Sequence, residues 1–260
     1  MSALASILAR KRVEVGRRDR RLATFAALAS RSEPRAGVIE ALRRGAGEPL
    51  RVIAEIKRAS PSAGPIRPRE RGDVEAIARA YEAAGVSAIS VIGDRGFDGC
   101  VLDVRRAARA VSVPVLFKEF VLAPVQLDVA RATGASLVLL LVRALERHEL
   151  AALVHAAEGR GLVPLVEAAG EHELDAALAS GAKVIGVNAR DLGTFTLDVA
   201  GAEHALAVIP PDRVALLLSG IRTPDDVRRI ASGRADGILV GTELMLAPDP
   251  GVRLRTLLSA

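Results

Sequence analysis

VIAEIKRASPSAG, residues 52–64, is the stretch on which the fold turns. It opens with a short apolar run, Val52–Ile56, of the kind found in parallel strands buried on both faces. The run gives way to IKRASPSAG at 56–64, a turn of small and basic residues. An open doubly wound sheet would normally carry a Gly-rich fingerprint in that place, and this is not one. Seven more apolar runs succeed it: Ala88–Ile92, Val113–Phe117, Leu137–Leu141, Val163–Val166, Val184–Val187, Val214–Leu217 and Ile238–Val240. Between them lie amphipathic stretches with helical spacing: Val74–Ala84, Asp103–Ala110, Pro124–Thr133, Leu145–Glu158, Glu171–Ser180, Ala200–Val208 and Pro224–Ala231. A last one, Gly251–Leu258, comes after the eighth run. Gly85, Gly134, Gly181 and Gly233 stand where helices are expected to end, Asp73 and Thr223 where they are expected to begin. Eight strand-then-helix units in about 215 residues predict an α/β fold, a closed (β/α)8 TIM barrel.

Residues 1 to about 45 precede that repeat and carry helical spacing of their own: Leu4, Ile7 and Leu8, then Leu22, Phe25, Ala26 and Leu28. They read as an N-terminal helical extension packed on the barrel, so residues 1–260 are expected to form a single domain.

Composition narrows the function classes. Half of the residues are apolar, mostly Ala, Val, Leu and Ile, with no Trp, one Tyr and five Phe. Such small branched side chains suit closely packed strands and helices. Cys100 is the only cysteine, so no intrachain disulfide can form, which agrees with a reducing compartment; a cytoplasmic location is expected. His148, His155, His172 and His204 form no close ligand motif, and neither a metal nor a cofactor is expected. The longest apolar run lies within Ala135–Val142, too short for a membrane span, and the N-terminus does not read as a secretory signal. The net charge is +5. Its one basic cluster, Arg10–Arg21, stands without aromatic stacking residues, so no nucleic-acid partner is expected. Lysine is rare: Lys11, Lys57, Lys118 and Lys183 are all there are, and arginine supplies the remaining positive charge. A rare lysine can mark a place where arginine cannot substitute, because an ammonium can lose its proton and a guanidinium cannot.

In a barrel the active site lies at the C-terminal ends of the strands. Strand one ends Glu55-Ile56-Lys57, and alternation puts Glu55 and Lys57 on one side. Strand three ends at Lys118, with Phe120 on the same side; strand five ends at Glu167, and strand six at Asn188 with Arg190 just beyond. Two lysines and two glutamates converging from strands one, three and five would have coupled, shifted pKa values suited to acid–base work. After strands seven and eight come Ser219-Gly220 and Gly241-Thr242, in the usual phosphate-binding place, with Thr242–Met245 as a candidate short helix. A small phosphorylated substrate is the expected partner.

At these strand ends the sequence resembles the indole-3-glycerol phosphate synthase family. The matching stretches are AEIKRASPSAG (54–64), FDG (97–99), VLFKEF (115–120), LVEA (165–168), GVNARDL (186–192), SGIRTPDDV (219–227) and LVGTELMLAPDPG (239–251). The family converts 1-(2-carboxyphenylamino)-1-deoxyribulose 5-phosphate to indole-3-glycerol phosphate in tryptophan biosynthesis, releasing carbon dioxide and water. The resemblance implies that Lys118 is the general acid at the substrate carbonyl. Lys57 would pair with the substrate carboxylate or phosphate and share in later proton transfer, organised by Glu55, and Glu167 would serve the dehydration. Asn188 and Arg190 would orient the intermediate, Arg190 being bonded to nearby acids. Ser60, Ser219, Gly220, Gly241 and Thr242 would line the substrate or phosphate site, while Phe97, Phe120, Leu139 and Leu192 would pack on the anthranilate ring.

The chain departs from the family pattern at four places. Leu218 stands where an acid usually precedes the serine after strand seven, Glu119 replaces Asp, Ala189 replaces Asn, and Cys100 stands where Ser is common. The Leu218 change bears on Lys57 and Arg190, whose positioning a lost carboxylate could weaken. It leaves open a pathway paralogue acting on a related phosphorylated substrate. A monomer or weak homodimer is expected, without a membrane partner.

Overall fold

The computed structural model describes residues 4–16, 35–60, 63–191 and 193–259. Eight parallel strands close into a barrel: β1 (Arg51–Ile56), β2 (Ala88–Ile92), β3 (Val115–Lys118), β4 (Leu137–Leu141), β5 (Val163–Ala168), β6 (Val184–Asn188), β7 (Val214–Leu218) and β8 (Gly237–Val240). Closure comes from β1, which sets Arg51 opposite Gly237 of β8 and Ile53 opposite Ala88 of β2. A helix follows every strand, as the eightfold pattern predicts. The third strand starts two residues later than its apolar run, at Val115. Pro114 has no N–H for the ladder, and the Val113 N–H is taken by the Glu82 carboxylate at 3.2 Å. Strands β5 and β6 run on past their apolar residues. Glu167 lies in register with Gly186, and Asn188 with Leu218. These two polar residues are therefore held by the sheet itself and not by loops.

The two faces of the strands serve two cores. Outward residues such as Val52, Ala54 and Ile56 pack under the helices, and inward residues such as Ile53, Leu116, Leu137, Leu165 and Leu216 fill the barrel. The N-terminal extension touches the inner core from both ends. Helix Val38–Leu42 buries Val38 and Leu42 in it. Just beyond, Arg43 donates to the carbonyls of Pro211 and Asp212, and the Arg44 N–H to Asp236, all at the N-terminal rim. Residues 4–16 are helical and lie across the opposite rim, burying Leu4 and Leu8. Burial on this scale contributes about 1.5–3 kcal/mol per leucine.

Helix boundaries follow local chemistry. Gly85, Gly134 and Gly181 adopt positive φ after their helices, whereas Gly233 does not. Thr223 caps its helix reciprocally: its hydroxyl accepts from the Asp226 N–H, and the Asp226 carboxylate accepts from the Thr223 N–H at 2.9 Å. Asp73 is already inside its helix, Gly72 at φ +77° being the cap. Its carboxylate turns instead to Arg58 at 2.6 Å and to the Glu70 N–H at 3.0 Å. Among the described residues no helix is long and apolar enough to cross a membrane.

Candidate active site

The C-terminal rim holds a cavity of about 390 Å³, within the range of small-molecule sites. Its lower wall is the last inward residue of successive strands. From β1, Glu55 is buried, and Lys57 just past the strand end returns to it, the ammonium donating to Oε1 at 3.0 Å. Ser90 of β2 donates to the other Glu55 oxygen at 3.1 Å. From β3, the Lys118 ammonium donates to Glu167 Oε2 of β5 at 3.2 Å, and from β6 the Asn188 amide donates to Glu167 Oε1 at 2.8 Å. Alternation thus delivers two adjacent ammonium–carboxylate pairs onto one floor. Burial alone would lower the Lys118 ammonium, but the Glu167 and Glu55 carboxylates outweigh it and hold it above its ordinary value. Burial would likewise raise the Glu55 carboxyl, and the Lys57 and Lys118 charges bring it below its ordinary value. Lys118 therefore stays a protonated acid in the resting site.

The opposite wall is backbone-rich. Ser219 and Gly220 both take the left-handed conformation, at φ +75° and +86°. A non-glycine residue there is uncommon and tends to sit at functional sites. A Cβ at Gly241 would stand 2.7 Å from Glu55 Oε1, so this glycine is what lets the β8 end approach the Glu55 carboxylate. Thr242–Met245 forms the expected short helix directly after it. Ser60 lines the same cavity from the loop after β1, its hydroxyl accepting from the Ala63 N–H at 3.1 Å. Phe97 and Phe120 stand 5.9 Å apart with rings tilted by 39°, and Leu139 completes that apolar side. Leu192 lies outside the described residues. All the other candidate catalytic, substrate and phosphate residues line this same cavity.

Two expectations change. Among the described residues Arg190 bonds no acid; its guanidinium donates to the Phe195 carbonyl at 3.1 Å, and its own N–H to Asn188 Oδ1 at 3.0 Å. The adjacent acid, Asp191, faces the other way and is taken by Arg143 at 2.8 Å. The apolar Leu218 does not leave Lys57 or Arg190 without a partner. It is 1 % exposed and belongs to the inner core, with Cδ1 directly over Gly186. Cys100 takes the N-cap position of helix Val101–Ala110 without a side-chain bond, as a thiol is a weak acceptor.

Other cavity residues were not among the candidate site residues. Leu4 and Ile7 reach it from the N-terminal helix. That helix is tied down by Lys11, 3 % exposed, which binds Asp94 at 2.5 Å, Glu14 at 2.9 Å and Glu119 at 3.0 Å, while Arg10 binds Asp94 at 2.7 Å. One buried ammonium thus serves several carboxylates. Burial first, and Asp94 beside it, push the Glu119 carboxyl up to about 7 in spite of Lys11. Asp94 itself is held below its ordinary value by Lys11 and Arg10, which outweigh its burial. Phe195 and Arg222 also line the cavity. Asp94 and Arg222 come just after strand ends and could have been found by inspecting every rim position; Phe195 sits in a turn at φ +60° that no periodicity marks. The rim acids are neutralised from outside the cavity, Asp94 and Glu119 by Lys11, Glu243 by Arg253 at 2.5 Å. Among the described residues Arg190 and Arg222 form no ion pair, which leaves the mouth a positive excess for an anionic ligand. No group of three or more His, Cys, Asp or Glu among the described residues could hold a metal ion.

Among solved structures, the N-acetylmannosamine-6-phosphate 2-epimerase from Clostridium perfringens superposes with a TM-score of 0.62 at 14% identity, covering 79% of this chain and 89% of that one. The thiamine phosphate pyrophosphorylase from Pyrococcus furiosus gives 0.58 at 18%, covering 80% and 93%. At such identities these likenesses concern the fold alone. The curated relatives are much nearer. "Indole-3-glycerol phosphate synthase 1" of Streptomyces coelicolor is 39% identical over 263 residues, covering 100% of this chain and 96% of the relative. The indole-3-glycerol phosphate synthase of Mycobacteroides abscessus is 41% identical over 263 residues, covering 100% and 94%. The family described as indole-3-glycerol phosphate synthase matches residues 4–257. With the match running from the helix over the mouth to the last barrel helix, the chain belongs to the indole-3-glycerol phosphate synthase family.

Proposed function

We propose that this chain closes the indole ring, converting 1-(2-carboxyphenylamino)-1-deoxyribulose 5-phosphate to indole-3-glycerol phosphate in tryptophan biosynthesis. The ring carbon bearing the carboxylate attacks the substrate ketone, and Lys118 gives its proton to the oxygen that becomes a hydroxyl. A positioned acid of this kind contributes about 10²–10⁴-fold. Departure of carbon dioxide returns its bonding pair to the ring and restores aromaticity. The hydroxyl then leaves as water, and the neighbouring methylene carbon of the new ring gives up a proton, a step assigned to Glu167 with Lys57. Glu55 holds Lys57. Asn188 and Arg190 orient the intermediate.

The observation that carries this reading is the Lys118–Glu167 contact at 3.2 Å, fixed by Asn188, on the floor of the rim cavity. It supplies an acid and a carboxylate base side by side. The phosphate is assigned to Lys57, Gly220, Gly241 and Thr242, with Ser60 and Ser219 beside it. The anthranilate ring is assigned to Phe97, Phe120, Leu139 and Leu192. We further propose that the chain works in the cytoplasm as one domain, a monomer or weak homodimer, without nucleic-acid or membrane partners.

The test is direct. Indole-glycerol fluorescence is expected to rise when the carboxyphenylamino substrate is added to the wild-type protein. No signal with folded protein overturns the assignment.

A further inference from the structure

Arg143 lies outside the cavity, in the single 3-10 turn Val142–Ala144 that follows β4. It is the hub of three rim loops. Its Nε donates to Glu173 at 2.8 Å, in the first turn of the helix after β5, and its Nη1 donates to Asp191 at 2.8 Å, in the loop after β6. Both acceptors have further work. The second Glu173 oxygen accepts from the Ala169 N–H at 2.8 Å, two residues beyond Glu167. The second Asp191 oxygen accepts from the N–H groups of Gly193 and Thr194 at 2.7 and 2.8 Å. Arg143 and those amides hold the Asp191 carboxyl well below the usual range.

The loop that Asp191 builds is the one that fixes Arg190. The Phe195 N–H closes it onto the Asp191 carbonyl at 2.8 Å, and the Asp191 N–H onto Thr196 at 3.0 Å. Phe195 is left at φ +60°, a conformation that a bulky residue keeps only when its surroundings impose it. The Phe195 carbonyl, so placed, accepts from the Arg190 guanidinium at 3.1 Å. Because successive residues point to opposite sides, Arg190 faces the mouth while Asp191 faces Arg143. A planar fork spanning two carboxylates has a fixed geometry that a single ammonium lacks.

We propose that Arg143 is a positioning residue for the reaction: by clamping Asp191 against Glu173 it shapes the loop after β6 and so aims Arg190 and Phe195 into the active-site mouth. This rests on the ring-closing activity proposed above, with Arg190 orienting the intermediate. Arg143 does not line the cavity, and its effect reaches Arg190 through Asp191 and the loop that Asp191 builds.

The experiment uses the full chain as wild type, Arg143→Ala, Arg143→Lys, Arg190→Ala and the Arg143→Ala/Arg190→Ala pair. Arg143→Ala is expected to lower kcat about tenfold with KM within about twofold, since it leaves the Arg190 charge at the mouth and disturbs only the aim by which Arg190 orients the intermediate. Arg143→Lys is expected to restore only part of it. In the Arg190→Ala background, Arg143→Ala is expected to cost nothing more. A kcat unchanged by Arg143→Ala, or an equal loss in the Arg190→Ala background, overturns the proposal. Amide hydrogen exchange at Gly193 and Thr194 gives a readout that needs no turnover. Arg143→Ala is expected to speed it at least about tenfold, and unchanged exchange also overturns the clamp. Wild-type inactivity, by contrast, counts against the ring-closing activity, and the exchange result then decides the clamp by itself.

Discussion

Replacing Lys118 by arginine keeps a positive charge on the cavity floor and removes the ability to give up a proton. Lys118 stands 3.2 Å from Glu167. At an effective dielectric near 20 that separation corresponds to about 5 kcal/mol of attraction, before the cost of taking both groups out of water. A guanidinium retains most of this, so Lys118→Arg is expected to fold normally, with Tm within about 4 °C of wild type. Its turnover is another matter. If Lys118 protonates the substrate carbonyl, losing that proton costs about 10²–10⁴ in kcat, or about 3–5 kcal/mol in the barrier. Lys118→Ala is expected to show the same loss of turnover together with a larger drop in Tm. It leaves Glu167, 4 % exposed, with the Asn188 amide as its remaining donor, and breaking a buried pair costs about 3–5 kcal/mol when the remaining charge stays ionised. Indole-glycerol fluorescence under saturating substrate gives kcat, and thermal unfolding gives Tm. A Lys118→Arg protein turning over within about tenfold of wild type would refute the acid assignment, because an arginine cannot donate at accessible pH.

The other predictions concern the walls. Leu218→Glu introduces a third carboxylate at a position 1 % exposed, beside two that already occupy the two ammonium groups. It is expected to destabilise the barrel by about 3 kcal/mol and to raise KM for the anionic substrate; a KM equal to or below the wild-type value would show that the mouth has room and charge for an acid there. Gly241→Ala puts a Cβ 2.7 Å from Glu55 Oε1, so a stability loss of about 1–3 kcal/mol is expected along with reduced kcat/KM as Glu55 is pushed off Lys57. Unaltered kinetics would mean that the β8 end moves freely. The Glu119 carboxyl, raised to about 7, binds its proton more tightly in the folded than in the unfolded chain. Its contribution to stability is therefore present below the unfolded carboxylate pKa and is lost as pH rises through 7. Between pH 5 and 8 Glu119→Gln is expected to show a flatter Tm-against-pH curve than wild type, and parallel curves would rule out Glu119 as the source of the slope.

Much of this can be read along the chain because it is local. The bounds of β2 and β4 coincide with their apolar runs, since strands buried on both faces have no polar residue to blur their ends. The period of two places Glu55 and Lys57 on one side, and they pair there at 3.0 Å. Rarity of lysine points to Lys57 and Lys118, and equally to Lys11, whose place in the fold no local pattern reveals, and to Lys183, which is exposed and away from the cavity. The third strand begins late because Pro114 lacks an N–H, a local cause that the apolar run conceals. Asp73 stands one residue inside its helix and not at the cap because Arg58, fifteen positions away, claims its carboxylate.

Fold class, the succession of strands and helices and the chemistry available at each strand end are properties of neighbours in the chain, and one-dimensional reading reaches them. Which charge meets which is decided by closure of the barrel. Lys118 meets Glu167 across 49 residues and Arg143 meets Asp191 across 48, and ring closure brings each pair to hydrogen-bonding distance with no periodic signature. The same holds for Leu218, which lines the cavity and also belongs to the inner core, its Cδ1 filling the space that Gly186 leaves on the neighbouring strand. The N-terminal helix lies over the mouth for a like reason. Its apolar face needs a partner, and only the closed rim, with Asp94 and Glu119 brought side by side, offers one that also satisfies Lys11.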